Sequence, residues 1–267
     1  EAAMSFETIL VDVEDGIMTI TMNRPERLNA WTHQMGSEME SALKKGNSDD
    51  AVEAFVVTGT GRGFCAGADV KDIFQAEAES GEVREGSREP GGWVATVRNS
   101  KPVVAAVNGA AIGVGLTQIL PMDYIIAASG AKLSCRFIKM GLVPELASSH
   151  FLVTRCGMGG ASELMLSGKT VTAEEAKELR LVDKVVAPED LLSEASAVAK
   201  SMGENPQSAL AMVKGLIFEN MAETDISMVQ KRELDALTKC YESAEHKEAI
   251  AAFLEKRDPD FKGVRKT

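Results

Sequence analysis

Two stretches of small residues carry the strongest chemical signal in this chain: Gly63-Phe64-Cys65-Ala66-Gly67-Ala68-Asp69 and Asn108-Gly109-Ala110-Ala111-Ile112-Gly113-Val114-Gly115. Each follows an apolar, β-branched run and precedes a helical pattern. Glycine and alanine let a ligand approach the main chain, and the first N–H groups of a helix have no partner within it. Two such turns on neighbouring strands can aim two N–H donors at one oxygen, the arrangement that stabilises an oxyanion. Tight packing of strand on helix accounts for the same small residues. A third stretch, Met140-Gly141-Leu142-Val143-Pro144-Glu145-Leu146-Ala147-Ser148-Ser149, contributes a carboxylate. Pro144 holds Val143 extended, and a cap by Ser148 or Ser149 on the helix that follows fixes Glu145 in a constrained turn. An exposed loop glutamate is the plain alternative.

Other motifs fall away on their spacing. Gly168-Lys169-Thr170 ends like a phosphate loop, but Glu163 stands where its first glycine is needed. Gly59-Thr60-Gly61-Arg62-Gly63 has the wrong glycine spacing for a dinucleotide turn, and no G-x-S-x-G elbow is present. His33, His150 and His246 are too dispersed for a metal site, and the four cysteines (Cys65, Cys135, Cys156, Cys240) form no C-x-x-C pair.

A scaffold must bring these residues together. Residues 8–13 and 17–22 are short β-branched runs split by Glu14-Asp15-Gly16, a hairpin pattern. Met35, Met39, Ala42 and Leu43 recur at helical spacing, with Gly46 expected to close that helix. Residues 54–58, 103–107 and 124–127 are continuous apolar runs. Buried strands separated by helical stretches imply an α/β fold with a layered, largely parallel core. Strand-like runs stop at Pro188. Residues 206–240 and 243–257 read as amphipathic helices, so a core over 4–204 and a helical region over 205–267 are expected. Residues 77–92, rich in Glu, Gly, Ser and Arg, read as a mobile surface loop. No repeat of fixed period is visible.

The 267 residues carry 40 acidic against 29 basic side chains, a net charge of −11 that disfavours a nucleic-acid partner. The longest apolar candidate, residues 119–128, is broken by Pro121 and Asp123, so no membrane span is expected. Scattered cysteines suit a reducing compartment, and the cytoplasm is the expected location. Glu1-Ala2-Ala3 reads as an addition ahead of a natural start at Met4.

Four segments resemble the enoyl-CoA hydratase/isomerase (crotonase) family: Asn23-Arg24-Pro25-Glu26-Arg27-Leu28-Asn29-Ala30, residues 64–69 (FCAGAD), residues 101–115 (KPVVAAVNGAAIGVG) and residues 252–257 (AFLEKR). With them the likeness runs in order over residues 5–262. It implies a crotonase (ClpP-like) fold of repeated ββα units with a C-terminal trimerisation region, as a homotrimer or dimer of trimers. It implies acyl-CoA thioester substrates, no prosthetic group, no metal, and an enolate held by two backbone N–H groups. Those donors fall on Ala68 and Val114. Coenzyme A falls against Arg27, Leu28, Ala66, Ala68, Asp69 and Val70, with Phe253 and Lys256 approaching from the C-terminal helix, often that of a neighbouring subunit.

The departures from the family pattern bear on the reaction. Hydratases of the family carry two glutamates that activate water; here those positions hold Thr117 and Phe137. Neither side chain does general acid–base work near neutral pH. The Pro144-Glu145-x-x-Ser148-Ser149 pattern resembles instead the Δ3,Δ2-enoyl-CoA isomerase branch, in which this glutamate is the catalytic base. The resemblance therefore implies isomerisation of 3-enoyl-CoA to 2-trans-enoyl-CoA through Glu145. The alternatives are hydration of 2-enoyl-CoA by relocated acids, and an acyl-CoA-binding protein of low activity. Asp69 and Asp123 are expected to be structural.

Overall fold

The computed structural model describes residues 6–69 and 92–265. Val70 and nearly all of the expected loop at 77–92 lie outside the described residues. The hairpin pattern forms β1 (Ile9–Glu14) and β2 (Ile17–Met22), antiparallel, with Ile9 opposite Met22 and Glu14 opposite Ile17. Its turn takes positive φ at Asp15 (48°) and Gly16 (81°), residue types that tolerate the left-handed region.

The chain continues through α1 (His33–Asn47), β3 (Ala54–Gly59), β4 (Gly63–Cys65), α2 (Gly92–Arg98), β5 (Val103–Val107) and β6 (Ala110–Ile112). Next come α3 (Val114–Thr117), β7 (Tyr124–Ala128), β8 (Lys132–Ser134), α4 (Ser148–Ser167), β9 (Thr170–Thr172), α5 (Ala173–Glu178) and β10 (Lys184–Val186). Five helices close the chain: α6 (Leu191–Gly203), α7 (Gln207–Asn220), α8 (Ile226–Glu242), α9 (Ala244–Glu255) and α10 (Phe261–Arg265).

One sheet runs β1-β2-β3-β5-β7-β10, parallel from β2 onward. A smaller sheet runs β4-β6-β8-β9, with only β9 antiparallel to its neighbour. Phe55, Val57, Val103, Ala105, Val107, Ile125 and Ala127 join one apolar cluster with Met35, Met39 and Leu43 of α1. The alternate residues Ala54, Val56, Val104, Ala106, Ile126 and Ala128 join a second cluster with Leu191, Ala195 and Ala199 of α6. Both faces of the large sheet are covered, which is why its central strands read as unbroken apolar runs.

Three expectations are corrected. The two small-residue stretches do not turn straight from strand to helix: each contains a short strand of the second sheet, β4 or β6. The pairs β3–β4, β5–β6 and β7–β8 are thus repeats of one unit, hidden in the sequence because unequal segments separate them. Gly46 does not close α1, which runs on to Asn47; a Cβ there would lie 2.5 Å from the Phe55 ring, so glycine is required for helix–sheet contact. Residues 206–240 are not one helix but α7 and α8, separated at residues 221–225.

Helix α7 is tied back to the strands through buried charge. Lys214 Nζ donates to Asp123 Oδ2 (2.7 Å) and to the carbonyls of Val97 (3.2 Å) and Lys101 (3.3 Å). Asp123 also accepts from Arg98 (3.0 Å) and from the Val103 N–H (2.8 Å), so it is the structural anchor its position suggested. Removing one member of a buried ion cluster strands the others without compensation. Asp123→Ala is expected to lower stability by about 3–5 kcal/mol, read as a shift in the urea midpoint. Among the described residues, no helix is long and apolar enough to cross a membrane.

Candidate active site

The segment after β4 is stitched to the loop that precedes α1. The Ala66 N–H donates to the Leu28 carbonyl (3.0 Å), the Trp31 N–H to Gly67 (2.8 Å) and the Asp69 N–H to Trp31 (2.9 Å). This pairing of Trp31 with Ala68 passes over the Ala68 N–H itself, which it leaves unused. Arg24 fastens the same two loops, donating to Asp69 (3.1 Å) and to the Ala30 carbonyl (2.6 Å). Asp69 is therefore structural here.

The loop holds this shape through consecutive left-handed residues, Leu28 (φ 50°) and Asn29 (φ 55°). Asn29 is fully buried; its side chain donates to the carbonyls of Thr60 (2.9 Å) and Gly63 (2.8 Å) and accepts from the Arg24 N–H (2.8 Å). Sequence reading treated Asn29 as one letter of a motif and missed this role. An asparagine beside a non-glycine turn was the available signal, since asparagine tolerates the left-handed region. Asn29→Ala removes these bonds from the Arg24 N–H and the Thr60 carbonyl and leaves the buried Gly63 carbonyl with only Asn108 (3.3 Å), and is expected to lower stability by about 1–3 kcal/mol, measured by urea unfolding.

The second turn is built against the first. Gly113 adopts φ 56° and ψ −121°, a conformation open to glycine, and its N–H donates to the Ser134 carbonyl (2.9 Å). The N–H groups of Leu116 and Thr117 both donate to the Gly113 carbonyl (2.9 and 3.0 Å), whereas Val114 opens α3 and has no helical acceptor. A Cβ on Gly115 would lie 2.2 Å from the Cys65 carbonyl oxygen, and one on Gly67 would lie 3.3 Å from that of Ile112. The main chains around Ala68 and Val114 thus touch, with no side chain between them.

Glu145 enters from a third segment. Its Oε1 accepts a hydrogen bond from Thr117 Oγ1 at 2.9 Å. The residue is exposed on the isolated chain, yet its carboxyl is surrounded by enough protein that burial raises its pKa above the ordinary 4.5. The Thr117 hydrogen bond opposes that rise more weakly. Burial, and secondarily the negative charge of Glu145, push the nearby Cys135 thiol up to about 11. The expected serine cap is absent: Ala147 occupies the cap position of α4 with no side-chain bond, and the buried Ser148 hydroxyl has no partner. The constraint comes instead from Leu146 (φ 57°) and Ala147 (φ 54°), and from the Ser148 N–H donating to the Glu145 carbonyl (3.1 Å). Two consecutive left-handed residues without glycine mark a strained turn.

Phe137, partly buried against the core, lies with its ring edge 4.0 Å from the point a Cβ on Gly113 would occupy. Thr117 and Phe137 therefore both stand close to these elements, one presenting a hydroxyl to Glu145 and the other an apolar ring near Gly113. Arg27 is exposed and Leu28 half-buried on the loop beside Ala66. Phe253, 82% exposed, and Lys256, in the left-handed region at the end of α9, have no hydrogen bond or ion pair to either turn. A broad surface depression lined by Phe6, Ser37, Glu40, Ser41 and Lys44 lies along α1 and shares no residue with the site.

The geometry is therefore a pair of touching main-chain turns with unused N–H groups and one carboxyl of raised pKa held beside them. The enoyl-CoA hydratase/isomerase family model matches residues 12–265. The 1,2-epoxyphenylacetyl-CoA isomerase of Escherichia coli K12 is 37% identical over 96% of this chain and 99% of its own. The crotonyl-CoA hydratase of Syntrophomonas wolfei is 34% identical over 97% and 99%. A solved structure described as a putative enoyl-CoA hydratase/carnithine racemase from Magnetospirillum magneticum superposes with a TM-score of 0.85 at 36% identity, covering 97% of this chain and 99% of that one. With a matching family model, relatives along nearly its whole length and the same crotonase fold, the chain belongs to the enoyl-CoA hydratase/isomerase family.

Proposed function

We propose that this protein isomerises 3-enoyl-CoA to 2-trans-enoyl-CoA, with Glu145 as its one acid–base group. The observation that carries the reading is the Thr117–Glu145 hydrogen bond at 2.9 Å: it holds a carboxyl beside the two turns, with a hydroxyl as its partner. Glu145 removes a proton from C2, the electrons pass into the thioester, and the resulting dienolate oxygen rests on the N–H groups of Ala68 and Val114. The carboxylic acid then returns the proton to C4, leaving the double bond between C2 and C3. Each main-chain donor is worth on the order of 3 kcal/mol of barrier. A raised carboxyl pKa suits Glu145 to both transfers, because the acid it becomes is a better match to the dienolate.

Coenzyme A lies, in this reading, against Arg27, Leu28, Ala66, Ala68, Asp69 and Val70, with Phe253 and Lys256 supplied by a neighbouring copy in a homotrimer or dimer of trimers. The exposure of Phe253 (82%), Leu254 (73%) and Ile226 (74%) supports such an assembly, built by a helical region over 205–267 on a core over 4–204. A cytoplasmic location fits four free thiols. The name of the Escherichia coli relative, an isomerase of an epoxidised acyl-CoA, supports acyl-CoA isomerisation in general rather than this double-bond shift. The hydratase names of other relatives favour a second reading, hydration of 2-enoyl-CoA, against which Thr117 and Phe137 weigh.

A paired assay separates the readings. Isomerisation of 3-enoyl-CoA raises conjugated-thioester absorbance, and hydration of 2-enoyl-CoA removes it. Isomerisation is expected to be the faster of the two with the purified protein. Hydration outpacing it would overturn the proposal.

A further inference from the structure

We infer that Thr117 is a positioning residue that sets the reaction outcome, holding the Glu145 carboxyl through a neutral donor where a second carboxylate would recruit water. The inference rests on the isomerase reading and adds to it the residue that selects between isomerisation and hydration.

Thr117 is wholly buried. It stands at the end of α3, whose first residue, Val114, offers the unused N–H, and its own N–H is fixed to the Gly113 carbonyl at 3.0 Å. One short element therefore fixes both the oxyanion donor and the clamp on the carboxyl. The hydroxyl engages Oε1 of Glu145 at 2.9 Å, and Oε2 makes no hydrogen bond among the described residues. Oε2 is thus the oxygen free to take a proton from C2 and to give it back at C4.

A threonine hydroxyl does this without becoming a second base. It donates its one proton to the carboxylate and stays neutral through the cycle. A carboxylate at the same place would stand within hydrogen-bond range of Glu145, and two carboxyls so close share a proton or bind a water between them. That pair can orient and split water, which a single carboxyl paired with a neutral hydroxyl does not.

Three variants test this. Thr117→Val keeps the shape and deletes the donor. It is expected to lower kcat for isomerisation about ten- to a hundredfold through loss of alignment, with the KM for 3-enoyl-CoA changed by less than about threefold, since the acyl-CoA makes no use of this hydroxyl. Thr117→Ser restores the donor and should recover kcat to within a few-fold of the parent protein. Thr117→Glu should raise the ratio of hydration to isomerisation at least about tenfold. Undiminished kcat in Thr117→Val overturns the inference, as do equal losses in the valine and serine variants or an unchanged ratio in Thr117→Glu. These failures are distinct from failure of the isomerase reading, which shows in the parent protein as absence of isomerisation.

Discussion

Glu145→Gln is expected to lower the isomerisation rate by a factor of about 10²–10⁴, with acyl-CoA binding retained. The amide fills the same space and can still accept from Thr117 Oγ1, but it takes no proton from C2. The fold should survive the change and gain slightly from it. Burial raises the Glu145 pKa, so between the ordinary carboxyl value and the raised one the folded protein holds more protons than the unfolded chain. Stability from this group is present at low pH and falls as pH rises through that window, and at neutral pH the buried carboxylate is a cost that glutamine removes. Equal or higher urea midpoints at pH 7 with near-zero turnover would attribute the loss to chemistry. A lower midpoint would attribute it to misfolding. In the parent protein kcat/KM should fall with decreasing pH as Glu145 is protonated, at a pH above that of an ordinary glutamate.

Gly115→Ala is the second large effect. The new Cβ would stand 2.2 Å from the Cys65 carbonyl oxygen, a main-chain atom that cannot swing aside. The segment carrying Ala68 and the turn carrying Val114 must then separate, and a transition state that depends on both N–H groups loses at least one. The expected result is a kcat lower by about 10²–10³ and a stability lower by about 1–3 kcal/mol. Gly215→Ala is the matched control: nothing lies within 4 Å of its Cβ, and it sits in α7 far along the chain from both turns. That change should leave turnover unaffected and raise stability by about 0.5–1 kcal/mol. Parent-like kinetics in Gly115→Ala would mean that the two turns do not act on one oxygen.

The large sheet was legible because its strands are buried on both faces and so appear as apolar runs. The small sheet was not. Strands β4, β6 and β8 are three residues each, too short for any periodicity, and the glycine of β4 and the alanines of β6 read equally as turn residues. Gly46 shows the same ambiguity, since glycine at a helix end and glycine beneath an aromatic ring look alike until Phe55 is placed.

For the site, Gly67, Gly113 and Gly115 were visible as a pattern, and their contact is now explained by main-chain approach. Thr117 was read for what it lacks, a carboxyl, and its hydrogen bond to Glu145 depends on two segments whose meeting no local pattern encodes. The turn at Glu145 was expected from Pro144 and a serine cap, whereas left-handed Leu146 and Ala147 supply it. Backbone strain of that kind leaves no compositional trace when glycine is absent.

In the proposed mechanism one carboxyl carries a proton from C2 to C4. The direct measurement uses 3-enoyl-CoA bearing two deuterons at C2, turned over in ordinary water, with the product isolated at low conversion. Deuterium at C4 of the 2-trans-enoyl product is the predicted result, because the acid formed on Glu145, held by Thr117, returns what it took. Product whose C4 carries solvent protons alone from the earliest turnovers would contradict the account.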